Sequence, residues 1–239
     1  MKPVFVVPPL PVCLIQDEIP LPARYHRPDW AQDLVEEWRC EERLVAADAY
    51  PTSSVLVVGP SGVGKTTAAR WIASELGMPA FSMLLSGTID SYMGATGKNL
   101  QSAIRYATDV RCVLVLDEID CVAASREAKH QDVGEIWRVT NTLIQTLDHW
   151  HGAPRKSLLI GTTNMAASID AAIRRRFEIE VSASLPTTLE LSRIAGVPIP
   201  EGCTISHAEM RRAVLNAKRK AILRGADYHL TLLSMLSND

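Results

Sequence analysis

The sequence predicts an α/β fold, with a five-stranded parallel sheet between helices, a short helical piece after it and a proline-rich arm before it. Three observations carry that expectation. Short, continuously apolar runs such as VLVV (55–58) and VLVL (113–116) recur through the middle of the chain. Segments with apolar residues at helical spacing separate these runs. Past Pro186 the strand-like runs stop and only helical patterns remain. Strands without a polar face, alternating with helices, imply a parallel sheet covered on both sides.

Taken in order, the elements justify themselves. Pro3, Pro8, Pro9, Pro11, Pro20, Pro22 and Pro28 are half of the chain's 14 prolines. Proline lacks a backbone donor, so residues 1–28 should form an extended arm poorly suited to a sheet ladder. In WAQDLVEEWRCEERLVAA, Leu34, Val35, Trp38 and Leu44 fall at helical spacing, which predicts one amphipathic helix or two short ones, ending at Tyr50-Pro51. Then follow a strand at 54–59, a helix from Gly64 to Leu76, a strand at 80–85, a helix at 97–107 and a strand at 112–117. A helix at 133–150, a strand at 157–163, a short helix around IDAAIRR and a strand at 177–181 complete the α/β part. Two helices are expected beyond it, in TLELSRIAG and SHAEMRRAVLNAKRKAILRG. The expected divisions are an arm at 1–28, an α/β domain at 29–185 and a small helical lid with its tail at 186–239.

Composition narrows the function. At 239 residues the chain can bury one α/β core and a small appendage. A net charge of −2 exerts no global pull on nucleic acid or an anionic membrane, so any contact with a polyanion would be local. Five cysteines without a CxxC pair fit neither a disulfide framework nor a zinc site, and a reducing cytoplasm is the expected compartment. The apolar stretch near residue 4 is short and broken by prolines, and no run of 18 apolar residues occurs, so neither a signal segment nor a membrane partner is expected.

The stretch GPSGVGKTT is the first that bears on chemistry. Gly59, Pro60, Ser61, Gly62, Val63, Gly64, Lys65, Thr66 and Thr67 match G-x-x-x-x-G-K-[ST], and they sit between a predicted strand and a predicted helix. Glycines let backbone N–H groups wrap around phosphate oxygens, and the following helix N-terminus favours the same negative charge. Lys65 would reach the β- and γ-phosphates of ATP, and Thr66 would offer its hydroxyl to Mg²⁺. A glycine-rich turn alone could mimic this pattern. A second segment makes that reading a poor one: CVLVLDEID ends a buried strand with Asp117 and Glu118, at the edge where open α/β sheets bind ligands. Asp117 can hold the magnesium shell while Glu118 polarises a water for attack on the γ-phosphate. A carboxylate directly after the aspartate favours hydrolysis over transfer to a small acceptor.

Together the two segments resemble those of AAA+ ATPases, and most nearly the AAA clade of ring-forming protein remodellers, over roughly residues 35–224. The resemblance implies a P-loop NTPase fold, ATP and Mg²⁺ as ligands, and a homo-oligomeric ring, a hexamer, that remodels or unfolds a protein substrate. Asn164, closing LLIGTTN, is similar to the family residue that orients the lytic water. In IDAAIRRRFE, Arg175 and Arg176 match the paired arginines that act on nucleotide held by the neighbouring subunit, although Arg174 leaves the register open by one. Tyr92, Met93 and Gly94 match the aromatic–aliphatic–glycine triplet of the pore loop, where a ring and a thioether would grip an extended chain; simple packing against the next helix is the alternative. SHAEMRRAVLNAKRKAI resembles the lid helix that begins beside the nucleotide base. His207 stands there in place of a glycine, the lid looks trimmed, and Arg211 and Arg212 are the candidates for a second sensing arginine.

Other features carry less. Asp148, His149 and His151 lack a fourth metal ligand and read as a polar helix end. Arg211, Arg212, Lys218, Arg219, Lys220 and Arg224 spread around the last long helix as a solvated face or a subunit contact, with nucleic acid the less favoured partner. Two alternatives to remodelling stay open: an ATP-switched loader on nucleic acid, and a nucleotide-gated scaffold with slow turnover.

Overall fold

In the computed structural model, residues 9–17, 21, 27–85, 93–123, 133–152 and 156–236 are described. Backbone contacts divide the chain into two units. Among the described residues the larger takes in those within 9–17, 27–58 and 66–182, and the smaller takes in 21, 59–65 and those within 183–236.

The larger unit is organised by strands too apolar to tolerate water on either face. β1 (Ile15–Gln16), β2 (Ser54–Val58), β3 (Ala80–Leu84), β4 (Val113–Asp117), β5 (Leu158–Thr163) and β6 (Ile179–Ser182) form one sheet in the order β1-β3-β4-β5-β2-β6. The last five pair in parallel, as the alternation of apolar runs and helices predicts. The register sets Leu56 opposite Gly161 and Val57 opposite Thr162, which brings the ends of β2 and β5 level.

The sixth strand corrects the sequence expectation for the arm. Ile15 and Gln16 pair antiparallel with Ser82 and Phe81, and the N–H of Asp17 donates to the carbonyl of Ala80 at 2.9 Å. The residues from 12 to 19 contain no proline, so donors exist where the surrounding composition argues against them. Two contacts fasten the strand. Leu14 enters the core, and the buried Asp17 carboxylate accepts from Arg70 at 2.8 Å and from the hydroxyl of Ser82.

Helices cover the sheet. α1 (Asp29–Arg39) and α2 (Glu41–Ala46) are separated at Cys40, whose N–H is shared between the carbonyls of Glu36 and Glu37, so the two-helix form of the prediction is the one realised. α3 (Lys65–Leu76), α4 (Met93–Asp109), α5 (Asp120–Ala123), α6 (Val133–Gly152) and α7 (Ala171–Arg174) follow the strands in turn. Leu100 and Ile104 of α4 and Leu143 and Leu147 of α6 are fully buried with Leu114, Leu116 and Leu159 of the sheet. Each such side chain contributes about 1.5–3 kcal/mol relative to exposure. Phe81 and Tyr106 meet edge to face, with centroids 5.3 Å apart.

Three helices make up the regular structure described in the smaller unit: α8 (Thr188–Ala195), α9 (His207–Arg224) and α10 (Tyr228–Leu236). Thr187 with Glu190 and Ser206 with Glu209 form reciprocal capping boxes, and Gly196 and Gly225 close the first two helices. Leu191, Ile194, Met210, Val214 and Leu232 share one apolar cluster. α10 goes beyond the two helices expected. Its start is set by Asp227, whose carboxylate accepts the N–H of Leu230 at 2.8 Å, and the hydroxyl of Tyr228 donates to the carbonyl of Ala195 at 2.8 Å. No helix among the described residues is long and apolar enough to cross a membrane.

Candidate active site

Between β2 and α3 the chain turns through Gly59–Gly64. Gly62 and Gly64 have φ values of 77° and 95°, a region that side chains with a Cβ disfavour, so the turn depends on glycine at both places. A Cβ at Gly62 would also lie 2.7 Å from the hydroxyl oxygen of Ser206. Pro60 and Ser61 are exposed, Gly59, Gly62 and Gly64 are half-buried, and Val63 is buried. The Lys65 side chain is buried and curls over the loop, its ammonium donating to the carbonyls of Gly59 at 2.7 Å and Pro60 at 2.8 Å. Charge is thereby concentrated on the loop itself, while Thr67 lies half-buried in the first turn of α3.

The second group lies where β4 ends. Thr66 donates its hydroxyl to Asp117 Oδ2 at 3.1 Å, and Thr162 of β5 donates its own to Asp117 Oδ1. Both carboxylate oxygens are therefore oriented by neutral donors. Glu118 follows with φ of 56°, and its N–H donates to Thr162 Oγ1 at 3.3 Å. A non-glycine residue in this region persists only where its surroundings over-determine it. Asn164, two residues past Thr162, is exposed, and its backbone N–H reaches Asp120 Oδ1 at 3.4 Å.

The arginine run is sorted by its partners. Arg174 forms a two-point pair with Glu180 at 2.6 and 2.9 Å, and this carboxylate raises the Arg174 pKa further above its already high value. Arg176 forms another with Asp148 at 2.7 and 3.0 Å and donates to the carbonyl of Ala172 at 2.8 Å. Arg175 is exposed, and its side chain donates to the carbonyl of Ala171 at 3.1 Å. His151 donates from Nε2 to the carbonyl of Arg176, with Nδ1 at 3.6 Å from Glu178. Asp148 and His151 thus brace the arginine segment, and His149 lines a separate surface groove with Arg105. Among the described residues no group of three or more His, Cys, Asp or Glu side chains is placed to hold a metal ion.

Comparison with known proteins decides the family. Residues 55–185, more than half of the chain, match the family described as "ATPase family associated with various cellular activities (AAA)". The chain belongs to the AAA family. An uncharacterised AAA family ATPase, y4kL of Sinorhizobium fredii, is 37% identical over 145 residues, covering 61% of this chain and 43% of that protein. The ATP-dependent zinc metalloprotease FtsH 3 of Sphaerobacter thermophilus is 31% identical over 204 residues, covering 84% of this chain and 40% of that protein. The chain thus spans less than half the length of these relatives. The crystal structure of the FIGL-1 AAA domain superposes with a TM-score of 0.70 over 90% of this chain and 78% of that one, at 22% identity, which speaks to the fold.

Tyr92 lies outside the described residues, and Met93 and Gly94 are the first two residues of α4. At the start of α9, whose first residue is His207, the N–H of Ala208 donates to the carbonyl of Gly62 at 3.0 Å, so this helix begins against the glycine-rich loop. The donor set at Asp117 fits magnesium, a hard cation that takes oxygen ligands and keeps several waters. The hydroxyl of Thr66 and the carboxylate of Asp117 supply oxygen donors already in contact. Thr162 escapes the motif reading. A polar residue near the end of an otherwise apolar strand is the signal that could have found it.

Proposed function

We propose that the chain hydrolyses Mg-ATP within a ring of its own copies, a hexamer, and uses the energy to remodel or unfold a protein substrate. The observation that carries this reading is the Asp117–Glu118 pair where β4 ends, with Asp117 held by a hydroxyl from the first turn of the phosphate-loop helix. The loop would bind phosphate through its backbone N–H groups, with Lys65 donating to the β- and γ-oxygens. Thr66 and Asp117 would hold the metal. Magnesium, when bound, supplies positive charge that offsets the charge developing on the phosphoryl oxygens. Glu118 would accept a proton from the attacking water while Asn164 orients that water. Arg175, with Arg176 as the second candidate, would reach the nucleotide of a neighbouring copy, and Tyr92 with Met93 and Gly94 would contact the substrate.

Kinship supports the choice of a protein substrate. Several relatives are named ATP-dependent zinc metalloproteases, enzymes whose action on proteins depends on ATP. The test is a trap. Protein carrying Glu118→Gln is recovered from its native cells with ATP, with and without Tyr92→Ala, and co-purified polypeptide and nucleic acid are quantified. Polypeptide enrichment that collapses with Tyr92→Ala is expected. Nucleic acid retained whatever occupies position 92 would replace remodelling with an ATP-switched loader, and no enrichment with tight ATP binding would favour a scaffold.

A further inference from the structure

We infer that Thr162 is a positioning residue for hydrolysis, because one buried side chain holds both the Asp117 carboxylate and the backbone turn that aims Glu118. The inference rests on the roles proposed above for those two residues. Thr162 is 1% exposed near the end of β5, paired with Val57. Its hydroxyl has one proton to give and gives it to Asp117 Oδ1. Thr162 Oγ1 also accepts the N–H of Glu118 at 3.3 Å, and the Thr162 carbonyl accepts the N–H of Ile119 at 3.0 Å. Three consecutive residues leaving β4 are therefore bonded to this one residue of β5.

The consequences are specific. Asp117 has a hydroxyl on each oxygen, Thr162 on Oδ1 and Thr66 on Oδ2, so the plane of the carboxylate is set from two sides. Glu118 sits at φ of 56°, where a glutamate is disfavoured, and the backbone on either side of that bend is held by the two Thr162 bonds that follow Asp117. Valine has nearly the shape of threonine but neither donates nor accepts. Serine keeps both functions. The pair separates hydrogen bonding from packing.

The experiment compares the full chain with Thr162→Val, Thr162→Ser and Asp117→Asn. It measures Mn²⁺ binding in the presence of ADP by electron paramagnetic resonance, together with steady-state ATP turnover. Thr162→Val is expected to lower kcat about 100-fold with little change in the KM for ATP, as small misplacements of reacting groups do. It should also raise the Mn²⁺ midpoint about tenfold, the scale of one hydrogen bond to a charged group. Thr162→Ser should keep both values near those of the parent. A folded Thr162→Val with either a parental kcat or a parental Mn²⁺ midpoint overturns the inference. If valine prevents folding, Thr162→Ala replaces it, and equal behaviour of the alanine and serine variants is then the overturning result. Asp117→Asn separates the two levels of the argument. If it leaves Mn²⁺ binding intact, the role given to Asp117 fails; if it abolishes binding while Thr162→Val does not weaken it, only the role of Thr162 fails.

Discussion

The Asp117 corner and the arginine segment both gather charge in the sheet unit, yet they treat it in opposite ways. Around Asp117 the contacts come from hydroxyls, which orient the carboxylate without cancelling it. In the arginine segment, Arg174 and Arg176 face Glu180 and Asp148, and each carboxylate offsets the charge it binds. Arg175 is the exposed arginine of the three, and its side chain meets a backbone carbonyl instead. The difference teaches that a charged letter in a motif is not a charge available to a ligand. Its partner decides.

The largest test of that contrast is Arg175→Ala. A cation supplied in trans to phosphoryl transfer is worth on the order of 10³–10⁵ in rate, so on the role proposed for Arg175 phosphate release at high protein concentration should fall to that extent with no change in melting temperature. A parental rate for Arg175→Ala together with loss in Arg176→Ala would invert the assignment. Next comes Glu118→Gln, expected to slow turnover about 10²–10⁴-fold, the range of general base catalysis. Nucleotide affinity, read by a fluorescent ATP analogue, should survive; a joint loss of both would mean that Glu118 supports the fold of the corner more than the chemistry.

Smaller effects probe the braces. Asp148→Ala and Arg176→Ala should each cost about 0.5–1 kcal/mol in urea unfolding, since this pair is partly exposed, and the double variant should cost little more than either single one. Additive losses would show that the two side chains act independently. The smallest effect is a carboxylate in the other unit that, like Asp117, is met by neutral donors. Glu209 accepts the N–H of Ser206 and interacts with its hydroxyl, which lowers its pKa below the ordinary glutamate value. A lowered folded value means the stabilisation is full above the ordinary glutamate pKa and fades as pH falls through the folded one. Thermal midpoints of the parent and Glu209→Gln should therefore differ at neutral pH and converge in acid, and a constant gap would refute the capping role.

The sequence by itself determined the five parallel strands, the helices between them, the phosphate loop and the positions of Asp117, Glu118 and Asn164. Those features depend on neighbours along the chain: apolar runs that must be buried, glycines needed for φ above zero, and a strand end that leads into a loop. α10 was not expected: Asp227 bonds its first turn, but its apolar residues carry no amphipathic stripe to announce it. Tertiary structure decided what crosses between strands. It placed Ile15 and Gln16 on the edge of β3 and joined Asp17 to Ser82, 65 positions further along the chain. It also gave Thr162 of β5 to Asp117 of β4, and Asp148 of α6 to Arg176. The physical reason is that a side chain's charge and hydrogen-bonding groups are written in its residue type, whereas the group that satisfies them is chosen by which distant segments the fold packs together.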